Sequence, residues 1–167
     1  SDTATYTISG TDVDDFSIDS STGVLTFVST PDYEIPTDSD TADNTYTVTV
    51  TVTDSGSLTD SQDITVTVTD VNETPSITSN GSGSTASISF AENDTSAVTT
   101  VISSDVDTGD TATYGISGTD VDDFSIDPST GVLTFVSTPN YETPTDSDPD
   151  NTYLVIVTVT DSGSLTD

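Results

Sequence analysis

The sequence contains no lysine, no arginine and no histidine, although it carries 30 aspartate and glutamate residues and a formal net charge of -30. No carboxylate in the chain is therefore able to form a salt bridge with a basic side chain. Two carboxylates held 4 Å apart repel by about 1 kcal/mol in water and by about 4 kcal/mol near a protein surface. Acidic residues that folding brings together need cations from solution, and the charge argues against binding to nucleic acid or to an anionic membrane surface.

Cysteine, long apolar segments and a signal-like start are also missing. The absence of cysteine is compatible with the cytosol and with a surface protein that has no disulfides. No apolar run approaches the roughly 18 residues of a membrane-spanning helix, so no membrane span is predicted. Because the chain begins at Ser1, without a methionine or a signal-like stretch, we expect it to be an internal part of a longer protein.

A tandem repeat accounts for most of the sequence. Residues 2–40 and 110–148 differ at four of 39 aligned positions, with an offset of 108. After a one-residue deletion, residues 44–60 return as residues 151–167, with an offset of 107. The chain therefore holds about one and a half copies of a repeated unit.

Alternation of apolar and polar residues with a period of two, together with many Thr and Val residues, predicts β-strands and no helix. A complete unit, pieced together from both copies, has seven predicted strands: 87–90, 98–104, 112–118, 124–127, 131–137, 153–160 and, from the first copy, 63–69. Seven short strands separated by turn residues are typical of an antiparallel Greek-key sandwich. The predicted fold class is therefore all-β, with seven-stranded Greek-key β-sandwich repeats in tandem.

The boundary between the two copies is predicted at Thr74–Pro75, where one strand has ended and a new unit begins. Residues 1–73 then form the C-terminal part of one unit whose opening strands are absent. Residues 74–167 form the next unit, whose last strand is absent. The sequence leaves open whether neighbouring chains supply the missing strands, as they do in donor-strand fibres.

One long strand of the first copy has two predicted faces. The predicted core face consists of Tyr46, Val48, Val50 and Val52, and the predicted solvent face consists of Thr45, Thr47, Thr49 and Thr51. In the second copy, Leu154 and Ile156 replace two of the solvent-facing threonines. One interpretation is that a loop or the neighbouring unit covers them, and the other is an exposed apolar strip for lateral association.

Three acidic clusters are predicted at strand ends, and each combines oxygen ligands with a turn. They are PDYE (31–34) with its repeat PNYE (139–142), DVNET (70–74) and SDVDTGD (104–110). Calcium takes several oxygen ligands at roughly 2.3–2.6 Å and tolerates irregular geometry. Zinc and copper are poor candidates because the chain has no His or Cys. The clusters favour Ca²⁺, and the alternative is a set of solvated strand ends or Asx turns.

With these motifs, the chain resembles tandem cadherin-like repeats of bacterial surface proteins along essentially its whole length. The resemblance rests on FAEN (90–93), on segments 104–118 and 124–135, on PDYE (31–34), and on VTVTDSGS (50–57) and TVTVTDVNETP (65–75). Calcium lies between successive domains in that family. The resemblance implies that the junction within this chain takes its ligands from Asp32, Glu34, Asp70, Asn72, Glu73, Asp105, Asp107 and Asp161. It also implies that Glu92, Asn140 and Glu142 serve the following junction and that Asp54 serves the preceding one.

Two departures from the family pattern bear on these implied sites. The connector of the family usually ends in a further polar pair of a DxNDN-type core, and here Glu73 and Thr74 occupy those positions. This departure is compatible with the loss of one ligand and with fewer than three ions at the junction. Asn140 stands where the first copy has Asp32, so the following junction is expected to bind calcium more weakly.

The remaining acidic residues are predicted to lie in exposed turns, notably Asp12, Asp14, Asp15 and their repeats Asp120, Asp122 and Asp123. DSG (54–56 and 161–163) and DTG (107–109) match the short signature of aspartic proteases. That chemistry needs two facing loops whose carboxylates share one proton. Because Asp54 and Asp161 are the same position in successive units, we do not expect an enzyme.

The sequence therefore predicts an extracellular, calcium-binding structural repeat that stiffens a cell-surface adhesin or fibre. Its expected partners are calcium and neighbouring repeats of the same chain or copies in a fibre. One alternative is a cadherin-like module that binds cell-surface glycans or makes homotypic contacts, although Tyr46 and Tyr153 are predicted to face the core and no Trp is present. Another is an acidic surface-layer or filament protein of a halophile, without specific calcium.

Overall fold

A computed structural model of the chain describes residues 3–39, 43–148 and 150–167. The chain divides into two compact units, Ser1–Val71 and Asn72–Asp167. The described residues form β-strands and short 3₁₀ turns, and none of their helices is long and apolar enough to cross a membrane. The predicted all-β fold class is confirmed, whereas the repeat boundary at Thr74–Pro75 stays a prediction.

The first unit consists of antiparallel strands in two sheets. Its strands are β1 (Thr5–Ser9), β2 (Phe16–Ile18), β3 (Leu25–Phe27), β4 (Thr45–Thr53) and β5 (Thr59–Thr67). One sheet has the order β1-β4-β5, and the other pairs β2 with β3. The register sets Thr5 opposite Thr53 and Thr45 opposite Thr67. The Thr/Val alternation of β4 therefore gives the central strand of the larger sheet.

Aromatic side chains fill the core between the two sheets of the first unit. Phe16, Tyr46 and Val48 are buried there. The rings of Phe16 and Phe27 stack with centroids 4.6 Å apart, and the Phe27 ring meets Tyr46 edge-on at 5.2 Å. The Tyr46 hydroxyl accepts a hydrogen bond from the N–H of Thr37, which satisfies the polar end of this buried ring.

The second unit repeats this arrangement with additional short strands. Its strands are β6 (Ser76–Ile77), β7 (Thr99–Thr100), β8 (Ser103–Ser104), β9 (Thr113–Ser117), β10 (Phe124–Ile126), β11 (Val132–Phe135) and β12 (Ile156–Thr160). The sheets have the orders β10-β11-β7, β12-β9 and β6-β8. The buried core includes Val101, Tyr114 and Val159. In β12 and β9, Thr160 lies opposite Thr113, so the residues just beyond this pair share one edge of the sheet.

Several predicted strands differ in the structure. The strand predicted at 153–160 begins at Ile156, and the one predicted at 63–69 spans Thr59–Thr67. Two others are lost or divided. Residues 87–90 form no strand, although the Phe90 ring packs against Phe135 with centroids 5.3 Å apart. Residues 98–104 form two short strands, β7 and β8, because the backbone changes partners at Val101 and Ile102. β7 pairs with β11, whereas β8 pairs with β6, which was not predicted. Alternation identifies the side chains that pack, but a strand also needs a partner for its backbone hydrogen bonds.

The faces of the long strand agree with the prediction only in part. Tyr46 and Val48 are fully buried, but Val50, Val52 and the predicted solvent-facing threonines are all half-buried. In the second unit, Leu154 is 60% exposed and Ile156 is 55% exposed. No loop among the described residues therefore covers these two side chains. Their coverage by a neighbouring unit and their use in lateral association both stay predictions.

Equivalent glycines in the two units provide a matched test of the fold. Gly131 has φ +69 and Gly23 has φ +74, a conformation that is strained for L side chains. A Cβ at Gly131 would collide with the backbone oxygen of Val101, whereas one at Gly23 would lie 3.1 Å from the movable ring of Tyr6. We expect Gly23→Ala to cost roughly 1–2 kcal/mol of unfolding free energy and Gly131→Ala about 1–3 kcal/mol more.

Chemical denaturation of the two single variants, followed by tyrosine fluorescence, measures this difference. The parent chain and the Gly23→Ala variant serve as its two references. Equal losses at the two positions would contradict the predicted collision with Val101.

Candidate metal centre

The segment after β8 folds into a tight acidic turn in the second unit. The Oδ1 atom of Asp105 accepts a hydrogen bond of 3.0 Å from the N–H of Asp107. The N–H of Asp110 donates to the carbonyl oxygen of Asp107 at 3.3 Å, and Gly109 between them has φ +102. Glycine adopts this φ at no steric cost. The turn thus holds three carboxylates within six residues of chain.

Asp161 follows β12 and reaches the same edge of the sheet. Because Thr160 pairs with Thr113, the residue after β12 lies near the residues that precede β9. Asp161 is 7% exposed. Its Oδ1 accepts a hydrogen bond from the N–H of Leu165 at 2.7 Å, and its Oδ2 accepts one from the Nδ2 of Asn72 at 2.9 Å. Both contacts fix the orientation of this buried carboxylate.

Asp105, Asp110 and Asp161 form one carboxylate cluster in the second unit. Each places an oxygen within 4.8 Å of an oxygen of the other two. A cavity of about 100 Å³ is lined by these three side chains and by Pro75, among others. At such separations each like-charged pair costs about 1 to 4 kcal/mol, depending on the local dielectric. No basic side chain exists in the sequence to offset this repulsion.

Several carboxylate oxygens in this turn are enclosed and make no hydrogen bond. They are Oδ2 of Asp105, Oδ1 of Asp107 and Oδ2 of Asp110, none of which has a partner among the described residues. A buried acceptor without a partner costs about 1–3 kcal/mol. Two oxygens bound to one calcium ion at roughly 2.4 Å lie at most about 4.8 Å apart. The all-oxygen donor set and its spacing therefore fit a calcium ion held by Asp105, Asp110 and Asp161, with Asp107 beside them.

The connector residues of the second unit reach the same turn. The N–H of Glu73 donates to Oδ2 of Asp107 at 2.8 Å. The two side chains also place carboxylate oxygens within 4.8 Å of each other. With Asn72 hydrogen-bonded to Asp161, the structure brings together the five residues of this unit that were predicted for the junction within the chain: Asn72, Glu73, Asp105, Asp107 and Asp161.

Asp110 was missed among the candidate ligands. It belongs to the SDVDTGD segment and to the 104–118 motif of the resemblance, but the ligands that the resemblance implies in this segment are only Asp105 and Asp107. In the structure its Oδ1 accepts a hydrogen bond from the hydroxyl of Ser162, which follows Asp161. Only the pairing of β9 with β12 brings Asp110 close to Asp161 and Ser162, and this pairing was not predicted from the sequence.

The first unit contributes a smaller acidic arrangement. Glu34 and Asp70 place carboxylate oxygens within 4.8 Å of each other. Asp32 caps the preceding turn, because its Oδ1 accepts hydrogen bonds from the N–H groups of Glu34 (3.1 Å) and Ile35 (3.0 Å). Asp54, the counterpart of Asp161, accepts a hydrogen bond from Leu58 at 2.8 Å and joins no carboxylate cluster among the described residues.

The residues predicted for the following junction also meet. Oε2 of Glu92 accepts a hydrogen bond from the N–H of Tyr141 at 3.1 Å, although the two residues are far apart in the sequence. Oδ1 of Asn140 accepts hydrogen bonds from Glu142 and Thr143 at 3.0 and 3.1 Å. Asn140 therefore caps its turn in the same way as Asp32 but carries no charge.

Two acidic residues assigned to exposed turns are instead buried. Asp12 is 1% exposed and Asp120 is 4% exposed, so the prediction was wrong for both. Oδ1 of Asp12 accepts the N–H of Ser39 at 2.8 Å and Oδ2 accepts that of Thr47 at 2.7 Å. Asp120 makes the equivalent bonds to Ser147 and Leu154. Asp12 thus ties a loop to β4, and Asp120 ties a loop to the segment just before β12. Local composition does not show these contacts, because the bonded residues are far apart in the sequence.

Hydrogen bonding also sets the charge state of these two buried carboxylates. Burial by itself raises the pKa of Asp12, but the N–H groups of Thr47 and Ser39 outweigh it, so the pKa lies below its ordinary value. Leu154 and Ser147 lower the pKa of Asp120 in the same way. Their stabilisation is present above the unfolded pKa of about 3.9 and is lost as the pH falls through the lower folded pKa.

Comparison with known proteins bears on the fold. No protein-family model and no curated protein sequence matches the chain. Over 99% of the chain, the structure is similar to part of the crystal structure of Drosophila N-cadherin EC1-4, with 24% identity and a TM-score of 0.63. The chain has a cadherin-like β-sandwich fold. It covers 39% of that N-cadherin chain.

Two further solved structures share the cadherin-like fold. Mouse cadherin-23 EC22-24 is similar over 98% of the chain, with 24% identity and a TM-score of 0.58, and the chain covers 49% of it. Human protocadherin-24 EC1-2 is similar over 98% of the chain, with 20% identity and a TM-score of 0.58, and the chain covers 79% of it. The chain thus spans less than half the length of the first two structures.

Proposed function

We propose that this chain is a calcium-binding structural repeat that stiffens a cell-surface adhesin or an extracellular fibre. The supporting observation is the group of enclosed oxygens on Asp105, Asp107 and Asp110 that have no hydrogen-bond partner among the described residues, in a chain without any basic side chain. Calcium bound there would supply the positive charge that the sequence lacks. The proposed role is mechanical and involves no catalysis.

The proposed ligand set extends through the connector. Asn72, Glu73, Asp105, Asp107, Asp110 and Asp161 would bind from the second unit, and Asp32, Glu34 and Asp70 from the first. The two sets are joined in this proposal because they are close along the chain: only two residues separate Asp70 from Glu73 in the sequence. Glu92, Asn140 and Glu142 would serve a following junction, and Asp54 a preceding one.

The stiffness of the connector would depend on whether its carboxylates repel one another or are neutralised by bound divalent cations. Without cations, the carboxylates on either side of residues 71 and 72 repel, which favours separated and variable arrangements of the units. When the same carboxylates share divalent ions, the connector is fastened to residues from both units. Ion occupancy would thus control whether a tandem array behaves as a flexible chain or as a rod.

We also propose an extracellular location and, from the sequence resemblance, a bacterial-type surface adhesin or fibre as the parent protein. Extracellular calcium modules have dissociation constants of about 10⁻⁴–10⁻³ M. Such sites would be filled outside cells and largely empty in the cytosol. Neighbouring repeats are the expected partners, and glycan binding gains no support from the cadherin-like fold.

Small-angle scattering of the 167-residue chain tests the mechanical proposal. We expect the maximum dimension to increase, and its distribution to narrow, when calcium replaces chelator. The double variant Asp70→Asn/Glu73→Gln should lose most of this response because it removes two connector charges. The double variant Asp14→Asn/Asp122→Asn removes the same charge from two exposed turn positions and should respond like the parent.

Sodium at matched ionic strength separates the proposal from its main alternative. If sodium lengthens the particle as much as calcium does, the acids act as generic hydration groups of a halophilic protein. If neither salt changes the scattering, the calcium-stiffening proposal is wrong.

A further inference from the structure

The loop before β12 contains a second acidic group with an enclosed, unpartnered oxygen. Asp146 is 5% exposed. Its Oδ2 accepts hydrogen bonds from the N–H groups of Asp150 at 2.8 Å and Asn151 at 3.1 Å. Its Oδ1 is enclosed and has no hydrogen-bond partner among the described residues. A carboxylate buried to this degree normally has both oxygens satisfied.

Two exposed carboxylates stand beside this buried one. Asp146, Asp148 and Asp150 each place one oxygen within 4.8 Å of the others, which is about the largest separation that two ligands of one calcium ion have. Asp148 and Asp150 are exposed, so ions from solution reach the group directly. Oδ1 of Asp150 accepts a hydrogen bond from Thr152 at 2.8 Å, which holds that side chain in place.

From this geometry we propose that Asp146, Asp148 and Asp150 bind a divalent cation of the calcium type at a loop site separate from the connector. The site lies before β12, whereas Asp161 follows that strand. It shares no ligand with the proposed junction and does not depend on the function proposed above.

The spacing of the loop residues supports calcium. Asp146-x-Asp148-x-Asp150 matches the first three ligand positions of the calcium loop in EF-hands, which lie two residues apart. That loop has a glycine at its sixth position for a sharp turn. Here the sixth position is Asn151, whose φ of 66 gives the left-handed conformation that Asn tolerates better than most residues.

The loop also departs from an EF-hand in a way that predicts weaker binding. An EF-hand has a bidentate glutamate at the twelfth position of its loop. Counted from Asp146, the twelfth position of this chain is Val157, which lies within β12 and offers no side-chain oxygen. The loop therefore lacks that carboxylate and must complete its ligand set with water or carbonyl oxygens. Binding in the millimolar range of extracellular modules is expected.

The first unit carries the same buried carboxylate. Asp38 is 8% exposed, its Oδ2 accepts the N–H of Asp43 at 2.9 Å, and its Oδ1 is enclosed without a partner among the described residues. Asn44 then has φ 64, like Asn151. One additional residue separates Asp38 from Asp43, so the two-residue spacing of the second unit is not kept. The enclosed carboxylate oxygen thus recurs in both units.

Counting bound calcium in the full 167-residue chain tests the loop site. Equilibrium dialysis at saturating calcium should give one ion fewer for the double variant Asp148→Asn/Asp150→Asn than for the parent. Both side chains are exposed, and an asparagine at 150 retains an oxygen for the Thr152 hydrogen bond, so the fold should be kept. The control Asp14→Asn/Asp122→Asn removes equal charge and should bind as many ions as the parent.

Terbium luminescence provides a second readout of the same site. Tyr153 lies close, because its hydroxyl accepts a hydrogen bond from the N–H of Thr145 at 3.2 Å. Terbium emission excited through tyrosine should fall in the Asp148→Asn/Asp150→Asn variant and persist in Asp105→Asn/Asp110→Asn. An unchanged ion count and unchanged emission in the loop variant would overturn the loop site, while a loss confined to Asp105→Asn/Asp110→Asn would leave only the junction.

Discussion

Saturating calcium is expected to raise the melting temperature of the chain by on the order of 10 °C relative to chelator. With free calcium at ten times the dissociation constant, each site adds roughly 1.4 kcal/mol to the unfolding free energy. Two or more sites therefore add about 3 kcal/mol or more, and 1 kcal/mol shifts the melting temperature of a small domain by about 4–8 °C. Differential scanning calorimetry in chelator and in millimolar calcium measures the shift.

The physical reason for this large effect is the composition of the second unit. Asp105, Asp110 and Asp161 lie together without a basic partner, so the folded state concentrates negative charge that the unfolded chain disperses. Calcium bound as proposed would remove that cost and would occupy oxygens that have no hydrogen-bond partner among the described residues. Sodium chloride at the same ionic strength is the control, since screening alone should give a smaller rise. An equal rise in sodium would contradict specific binding.

Asp110→Asn is expected to change stability in opposite directions with and without calcium. In chelator, removing one charge relieves repulsion with Asp105 and Asp161, worth between about 1 and 4 kcal/mol for each pair at 4 Å. In calcium, the same change removes a ligand, and each tenfold loss of affinity costs about 1.4 kcal/mol of binding free energy. The variant should therefore melt above the parent in chelator and gain less from calcium.

The matched control for this crossover is Asp122→Asn in the same unit. Asp122 is exposed and lies in the 3₁₀ turn Val121–Asp123, away from the cluster ligands. The Asp122→Asn substitution also removes one charge. It should change the unfolding free energy by less than Asp110→Asn does, and in the same direction in chelator and in calcium. If Asp110→Asn destabilises the chain equally in chelator and in calcium, the carboxylate cluster has only a structural role.

Sequence pattern predicted strands best where the alternation is long and the partner is close in the chain. β4 follows from the Thr/Val alternation, and its core side chains Tyr46 and Val48 are fully buried as expected. The alternation predicted only the second half of β5, which begins at Thr59 rather than at residue 63. The failures lie where pairing is distant or interrupted. Residues 87–90 have the right alternation without a backbone partner, and β6 is too short to show any period.

In the candidate site, too, local sequence predicted some residues, whereas others depend on pairing between distant segments. Residue type and motif predicted Asp105, Asp107 and Asp161 as oxygen ligands, and the structure brings these three residues to one edge of the second unit. Asp110 was missed because its contact with the residues after β12 depends on a strand pairing across some fifty positions of sequence. Asp12 and Asp120 were predicted to be exposed because turn residues usually lie at the surface. In the structure both carboxylates are buried, and they accept hydrogen bonds from backbone N–H groups that are distant in the sequence.

The sequence by itself determined that the chain is a repeated β protein whose thirty carboxylates have no basic side chain to pair with. Periodicity and charge are local or additive properties, so they are readable without coordinates. Only the tertiary structure decided which carboxylates converge, which oxygens are enclosed and which are satisfied, as the contrast between Asp110 and Asp120 illustrates. Those outcomes depend on antiparallel pairing between distant segments, which brings together side chains that local sequence does not connect.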